Sequence, residues 1–193
     1  MKLYFNPQSR AVIAKWMLDE CDADYQIVPI DLAMEENKRS AYLKINPAGK
    51  LPALVDGEAR IFENVAICLY LADRFPEANL APPIGSPERG RYLTLTVYST
   101  SQLDPAMVDA MLGVKTERPR GWTDLEACKT VIERELGAGP YLLGDQFTAA
   151  DVMIGSMFIW QRMMGNTSGR QTIDAYVDRL LVRPKAIKLG GVT

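Results

Sequence analysis

The chain has 193 residues, of which 48% are hydrophobic and 24% are charged, and its formal net charge is −2. This composition is typical of a folded protein of one or two small domains, and the absence of a Lys/Arg cluster argues against nucleic acid as a partner. The sequence has no histidine and no CxxC pair among its three cysteines, so we expect neither histidine-dependent nucleophilic catalysis nor a metal site.

The first half of the chain opens with a strand–helix–strand pattern. A β-prone run covers Lys2–Phe5, and apolar residues at helical spacing follow over residues 9–20. Ser9 would supply the capping oxygen of this helix. Residues 25–30 predict a second strand, which a right-handed crossover would make parallel to the first.

A hairpin and a helix complete this half. After a polar, helix-prone stretch at residues 35–44, residues 52–55 predict a strand that begins with proline, a position where the missing N–H is tolerated. Asp56-Gly57 is a strong hairpin signal, residues 59–62 form the return strand, and residues 65–75 predict a helix. The βαβ-ββα order predicts a small mixed sheet covered by helices.

The second half has helical patterns only. Residues 76–88 contain four prolines and a glycine, which is the composition of a linker. Helices are predicted over residues 88–112, 123–137, 148–164 and 172–182. Pro105 should kink or split the first of these helices. The third is apolar nearly all round and begins with a capping-box pattern at Thr148 and Asp151, so we expect it to be the buried central helix of a bundle.

Four stretches of the sequence together resemble the cytosolic glutathione transferases of bacteria, in the serine-type form. They are KLYFNPQSR (2–10), NPAGKLPAL (46–54), ENVAICLYLAD (63–73) and LGDQFTAADVM (143–153). The resemblance covers nearly the whole chain and implies an α/β thioredoxin-like domain that binds glutathione, followed by an all-α bundle. The corresponding boundaries are residues 1–76 for the first domain, 77–87 for a linker and 88–193 for the helical domain.

The resemblance implies that Ser9 activates the thiol of glutathione. A thiol must become a thiolate to act as a nucleophile, and lowering its pKa from ~8.5 to ~6.5 requires about 2.7 kcal/mol of anion stabilisation. A hydroxyl donor at a helix N-terminus can contribute to this, and Arg10 could add positive potential. Tyr4 at the end of the first strand is the alternative donor. Ser9 could instead serve only as a helix cap, and Arg10 could be a solvated surface residue.

The resemblance also assigns residues to the rest of the tripeptide. The Leu51–Pro52 bond would be cis, and the backbone of Leu51 would pair with the cysteinyl part of glutathione like an added strand. Lys50 would meet the glycyl carboxylate. Glu63 would bind the free amine, and the helix start at Asn64 would bind the γ-glutamyl carboxylate. Asn64 departs from the serine usual in the family, but its amide can donate to a carboxylate and its oxygen can cap the helix.

The expected activity is conjugation of glutathione, as co-substrate, to small hydrophobic electrophiles. Tyr98 and Met107 are the candidates for the electrophile pocket, although most methionines of the helical half would serve core packing. Two alternatives remain: a non-catalytic interaction or regulatory protein of the same fold, and a glutathione-dependent isomerase. A cysteine-type reductase is disfavoured because the turn Gln8-Ser9-Arg10 contains no thiol.

The sequence further predicts where the protein acts and with what partners. It has no apolar run of about 18 residues and no leader-like N-terminus, so we expect a soluble cytoplasmic protein without a membrane partner. The resemblance implies a homodimer.

Overall fold

The structure is a computed structural model that describes residues 1–117 and 120–187. The chain separates into two compact units, Met1–Ala78 and a second unit that begins at Asn79. Part of the predicted linker, residues 77–87, belongs to the second unit, because Leu80 is buried there and its carbonyl oxygen accepts from the Ala149 N–H at 2.9 Å.

The first unit contains a four-stranded mixed sheet in the order β2-β1-β3-β4. Its strands are β1 (Lys2–Phe5), β2 (Gln26–Pro29), β3 (Ala53–Asp56) and β4 (Ala59–Phe62). β1 runs parallel to β2 and antiparallel to β3, which forms a hairpin with β4. Gly57 closes the hairpin at φ +59°, a backbone conformation that favours glycine. The mixed sheet predicted from the sequence is therefore confirmed.

Helices α1 (Ala11–Glu20) and α3 (Asn64–Arg74) pack against each other, and they contact β1 and β4 respectively. Helical spacing aligns the apolar residues of each helix on one side, and the packing of that side buries them. The buried set includes Leu3, Leu54, Ile13, Trp16, Met17, Ile67 and Leu71.

The stretch at residues 35–44, predicted to favour helix, contains only a 3-10 turn at Glu36–Lys38 and the short helix α2 at Ser40–Leu43. Side chains in this region bond to loop backbone instead of solvent. The Glu36 carboxylate accepts from the Asp31 N–H at 3.0 Å, and Asn37 Nδ2 donates to the Gly49 carbonyl at 2.8 Å. Such bonds offer the backbone an alternative to a continuous helix.

The second unit is helical, and its described residues contain no strand longer than an isolated bridge. Its helices are α4 (Pro87–Tyr98), α5 (Asp104–Met111), α6 (Leu125–Leu136), α7 (Ala149–Met163) and α8 (Gln171–Leu181). The helix predicted over residues 88–112 is split by a π-helical segment at Ser99–Leu103, directly before Pro105. Proline lacks an N–H and its ring crowds the carbonyl one turn earlier, so the backbone widens there.

Helix α7 is the centre of this unit, as predicted. Every residue from Ala149 to Ile159 is buried, and α4 and α8 both pack on it. The approach of α8 is close: a Cβ added to Gly155 would lie 2.2 Å from Leu180 Cδ1. Glycine at this position therefore sets the distance between the two helices.

A buried carboxylate fixes the start of α7. Asp151 Oδ2 accepts from the Thr148 N–H at 2.9 Å and from its hydroxyl at 3.2 Å. Asp151 Oδ1 accepts from the Leu142 N–H at 2.9 Å and from the Tyr176 hydroxyl at 3.0 Å. Burial raises the pKa of Asp151 to about 6, although these hydrogen bonds favour the ionised form. At pH 7 the carboxylate is therefore ionised and accepts from every donor around it.

We expect Asp151→Asn to lower the free energy of unfolding at pH 7 by about 1–3 kcal/mol, because an amide nitrogen would face donors and leave them unsatisfied. Urea denaturation followed by circular dichroism measures the change. Asp145→Asn, in the exposed loop before α7, is the control and should shift the free energy by less than about 0.5 kcal/mol. Equal stabilities for the two variants would contradict this role of Asp151.

Candidate functional site

The strand register brings three segments together at one edge of the sheet, where β1 and β4 end and β3 begins. Tyr4 pairs with Ala53, and Ala53 pairs with Phe62. Because β1 and β4 both run antiparallel to β3, the ends of β1 and β4 lie beside the beginning of β3. The turn after β1, the loop before β3 and the start of α3 after β4 therefore meet at this edge. These segments carry the predicted site residues of the first unit.

The turn after β1 is organised by Asn6. Its Nδ2 donates to the Ile30 carbonyl at 2.9 Å, and its Oδ1 accepts from the Gln8 N–H at 2.9 Å. Its carbonyl oxygen accepts from the Ser9 N–H at 3.1 Å. Asn6 thus ties the end of β1 to the end of β2 and gives the following turn a fixed shape.

Ser9 lies in this turn, and α1 begins later than residue 9, where the sequence predicted its start. The helix starts at Ala11 with Arg10 in the capping position. Ser9 Oγ accepts from the Ala11 N–H at 3.2 Å, so it does satisfy a donor of the first helical turn. Its hydroxyl proton points to the Asn6 carbonyl oxygen at 2.7 Å. Ser9 is partly exposed, so rotation of the hydroxyl could redirect that proton to a ligand.

Tyr4, the alternative donor, packs with other residues of the first unit. Its ring meets the ring of Tyr42 edge-on at 5.6 Å between centroids, and it joins the apolar cluster of Ile30, Tyr42 and Ala53. Arg10 follows Ser9 with an exposed side chain. The ring of Tyr4 is therefore engaged in packing within the first unit.

The loop before β3 contains the cis Leu51–Pro52 bond that the resemblance implied. Polar side chains hold the preceding residue: the Lys50 carbonyl accepts from the Tyr42 hydroxyl at 2.5 Å and from Asn46 Nδ2 at 2.8 Å. Asn46 Oδ1 also accepts from the Ala48 N–H at 3.0 Å, and Asn46 is only 1% exposed. Leu51 is partly exposed and the Lys50 side chain is exposed.

Asn46 is a site-supporting residue that the sequence indicated only as part of a turn. Its Asn-Pro pair is a turn signal. No local pattern, however, shows that the amide would be buried and would bridge Ala48 and Lys50. A buried polar side chain requires partners, so burial is the property that would have identified it.

The third segment is the junction of β4 and α3. Glu63 is exposed and has φ 70° and ψ 125°, a strained conformation for a residue with a side chain. Helix α3 begins at Asn64, whose Nδ2 donates to the Arg10 carbonyl at 3.1 Å. Its Oδ1 is buried and has no hydrogen-bond partner. The expectation that the Asn64 oxygen could cap α3 is therefore wrong, because the amide is turned to α1.

The predicted pocket residues Tyr98 and Met107 lie in the second unit, and both are partly exposed. Tyr98 ends α4, and its hydroxyl lies beside Cys128 of α6, where burial raises the pKa of the tyrosine. The phenol is thus turned into the helical unit.

Two further observations apply to the described part of the chain. Among residues 1–117 and 120–187, no group of three His, Cys, Asp or Glu residues could hold a metal ion. No described helix combines the length and apolar character that crossing a bilayer requires.

Comparisons with known proteins agree with this architecture. Residues 1–73 match the family described as glutathione S-transferase, N-terminal domain, and residues 115–179 match its C-terminal domain. Glutathione S-transferase GstA of Escherichia coli O157:H7 is 27% identical over 190 residues, which are 96% of this chain and 94% of that protein. Glutathione S-transferase 1 of Zea mays is 33% identical over 147 residues, which are 70% of this chain and 68% of that protein.

A solved structure of a sphingomonad glutathione S-transferase complexed with glutathione is also similar. It is 29% identical, has a TM-score of 0.77, and the match covers 96% of this chain and 94% of that one.

The loop before β3 yields a test of its own. We expect Asn46→Ala to lower the free energy of unfolding by about 1–3 kcal/mol, because the Ala48 N–H and the Lys50 carbonyl lose a buried partner. Amide exchange at residues 48–51 should also accelerate. Asn166→Ala, at an exposed asparagine, is the matched control. If exchange in the loop is the same in both variants, Asn46 does not hold it.

Proposed function

The chain belongs to the glutathione S-transferase family, and we propose that it conjugates the thiolate of glutathione to small hydrophobic electrophiles. The observation that carries the proposal is the sheet edge at which the Ser9 turn, the Leu51–Pro52 loop and the start of α3 meet. Each segment offers a group that complements a different part of the tripeptide.

The γ-glutamyl end would bind at the start of α3. Its carboxylate would meet the backbone N–H of Asn64, since unpaired N–H groups and the helix dipole favour an anion there. Its free amine would pair with the Glu63 carboxylate. The strained backbone of Glu63 supports this role, because strain of about 1–3 kcal/mol concentrates at functional positions.

The cysteinyl and glycyl parts would bind along the loop before β3. An extended tripeptide can pair through its backbone with Leu51 as an added strand. The hydrogen bonds to the Lys50 carbonyl keep this loop in one conformation, and the exposed Lys50 ammonium would attract the glycyl carboxylate.

Ser9 would then activate the sulfur. Its hydroxyl would turn from the Asn6 carbonyl and donate to the thiolate, and the thiol proton would pass to water. Sulfur would form a bond to the electrophilic carbon while the bond from that carbon to its leaving group breaks, and the leaving group (halide ion for an aryl halide) would depart to solvent. The N-terminus of α1 and the Arg10 side chain would add positive potential. Tyr98 and Met107 of the second unit would contribute to the electrophile pocket.

The surroundings of this reaction follow from the same proposal. Residues 1–76 would form the glutathione domain and residues 88–193 the electrophile domain. None of the three cysteines forms a disulfide, which supports a cytoplasmic location. A detoxifying role would follow from conjugation of electrophiles there. A two-fold homodimer is proposed, as the family resemblance implies.

One observation favours a non-catalytic member of the family as the second candidate. The Ser9 hydroxyl already has both an acceptor and a donor inside its own turn, which is what a purely structural serine would show. The two candidates differ in what removal of this hydroxyl does to bound glutathione.

We expect Ser9→Ala to raise the thiol pKa of bound glutathione by about one unit, from ~6.5 to ~7.5, and thereby to lower the thiolate fraction and turnover at pH 7 about threefold. The loss should shrink at alkaline pH, where the thiolate forms without help. The thiolate absorbance of the complex, titrated with pH, and conjugation rates with an aryl halide measure both effects. Ser40→Ala, at an exposed serine of the same unit, is the control. Ser9→Ala curves that coincide with those of the wild type would make Ser9 a structural residue.

We expect Glu63→Gln to weaken glutathione binding about tenfold or more, because a hydrogen bond between charged groups is worth ~1.5–3 kcal/mol. Calorimetric titration gives the dissociation constant. Glu58→Gln changes an exposed carboxylate in the hairpin at the other end of β3 and β4 and should leave the constant unchanged. An equal effect of both substitutions would indicate general electrostatics instead of an amine contact.

A further inference from the structure

One amide joins the two helix N-termini of the candidate site. Asn64, the first residue of α3, donates from Nδ2 to the Arg10 carbonyl at 3.1 Å across a separation of 54 residues. The same carbonyl accepts from the Ile13 N–H at 3.1 Å, a bond of the first turn of α1. The Asn64 side chain therefore holds the peptide group that starts α1, directly after Ser9.

This hydrogen bond is made at a cost elsewhere in the same side chain. Asn64 is 8% exposed, and its Oδ1 is buried without a donor among residues 1–117 and 120–187. An unpaired buried acceptor costs at least as much free energy as one ordinary hydrogen bond gains. Fold stability alone therefore gives Asn64 little advantage over a smaller side chain, and the position of the bond is the better explanation for the residue.

The bond also opposes an electrostatic repulsion. Each helix N-terminus carries the equivalent of roughly half a positive charge. Two such ends at one sheet edge repel each other until anions bind there. The Asn64–Arg10 hydrogen bond opposes this repulsion and holds the two helix starts together.

We propose that Asn64 is a positioning residue for thiol activation. Through the Arg10 carbonyl it fixes the Ser9 turn relative to the start of α3, so the Ser9 hydroxyl keeps its distance from the carboxylate-binding N–H groups. The proposal rests on the proposed function. It predicts that substitutions of Asn64 change the pKa of the bound thiol but have little effect on the affinity for the tripeptide. The ligand carboxylate would bind the backbone N–H of Asn64, which side-chain substitutions retain.

The test uses Asn64→Ala and Asn64→Ser. Serine is too short to reach the Arg10 carbonyl, and both changes remove the unpaired Oδ1 together with the hydrogen bond, so both variants should fold. Tyr70→Phe is the matched control: it removes a 2.9 Å hydrogen bond from the same helix to Asp56, away from α1.

Two measurements separate positioning from binding. Thiolate absorbance of bound glutathione, titrated with pH, should show the thiol pKa raised by about one unit in both Asn64 variants, which from a pKa of ~6.5 is about a threefold loss of thiolate at pH 7. The dissociation constant of S-methylglutathione, which has no ionisable thiol, should change less than about threefold. Tyr70→Phe should change neither quantity.

Other outcomes would overturn the proposal. An unchanged thiol pKa would show that the Asn64–Arg10 bond does not act on Ser9, and a large loss of S-methylglutathione affinity would make Asn64 a direct ligand. Failure of both variants to fold would make the bond structural. If the wild-type protein itself binds no glutathione, the proposed function fails, which is a different result from any of these.

Discussion

The pairing of Tyr4 with Ala53 and of Ala53 with Phe62 is the constraint on which the rest of the candidate site depends. A slip of one residue would turn every side chain of a strand to the opposite face. The completely buried Leu3 and Leu54, which pair with each other, would then leave the core. Apolar burial therefore sets the register, and the register places three polar segments at one edge. The position of the polar site is thus a consequence of the packing of the apolar core.

Buried or partly buried polar side chains then fix the backbone of the segments that form the site. Asn46 fixes the Lys50 carbonyl, Asn6 fixes the Ser9 turn, and Asn64 links the turn to α3. Each acts on a backbone group, and a carbonyl held by a side chain cannot drift as a loop normally would. In the helical unit the Asp151 side chain also holds backbone groups, but there the carboxylate fixes a helix start. Hydrogen bonds from side chains to backbone groups therefore shape the proposed ligand site in the first unit and stabilise the fold in the second.

The sequence predicted the elements well and their polar contacts poorly, for physical reasons. Strands β1 and β4 and the Asp56-Gly57 hairpin follow from local alternation and turn chemistry, and they lie at the predicted residues. The sequence predicts the start of α1 two residues too early. Ser9 and Asn6 form hydrogen bonds with each other within the turn, and hydrophobic periodicity carries no information about such bonds. The Asn64–Arg10 bond spans 54 residues, so only the folded register could bring the two together. The family resemblance indicates which residues form the site, whereas their hydrogen-bond partners follow only from the folded structure.

The energies limit how much of thiol activation Ser9 can supply. The Ser9 hydroxyl donates its proton to the neutral Asn6 carbonyl, a bond worth about 0.5–1.5 kcal/mol net, whereas a bond to an anion is worth about 1.5–3 kcal/mol. Turning to the thiolate therefore gains roughly 1–1.5 kcal/mol, which is about one pKa unit. A shift of two units needs about 2.7 kcal/mol, so a comparable share must come from fixed charge. The N-terminus of α1 can provide up to ~2 kcal/mol in a partly buried geometry, but only while it faces the sulfur within its first turn. Thiol activation at this edge thus requires that α1 be held in place as much as it requires a hydroxyl.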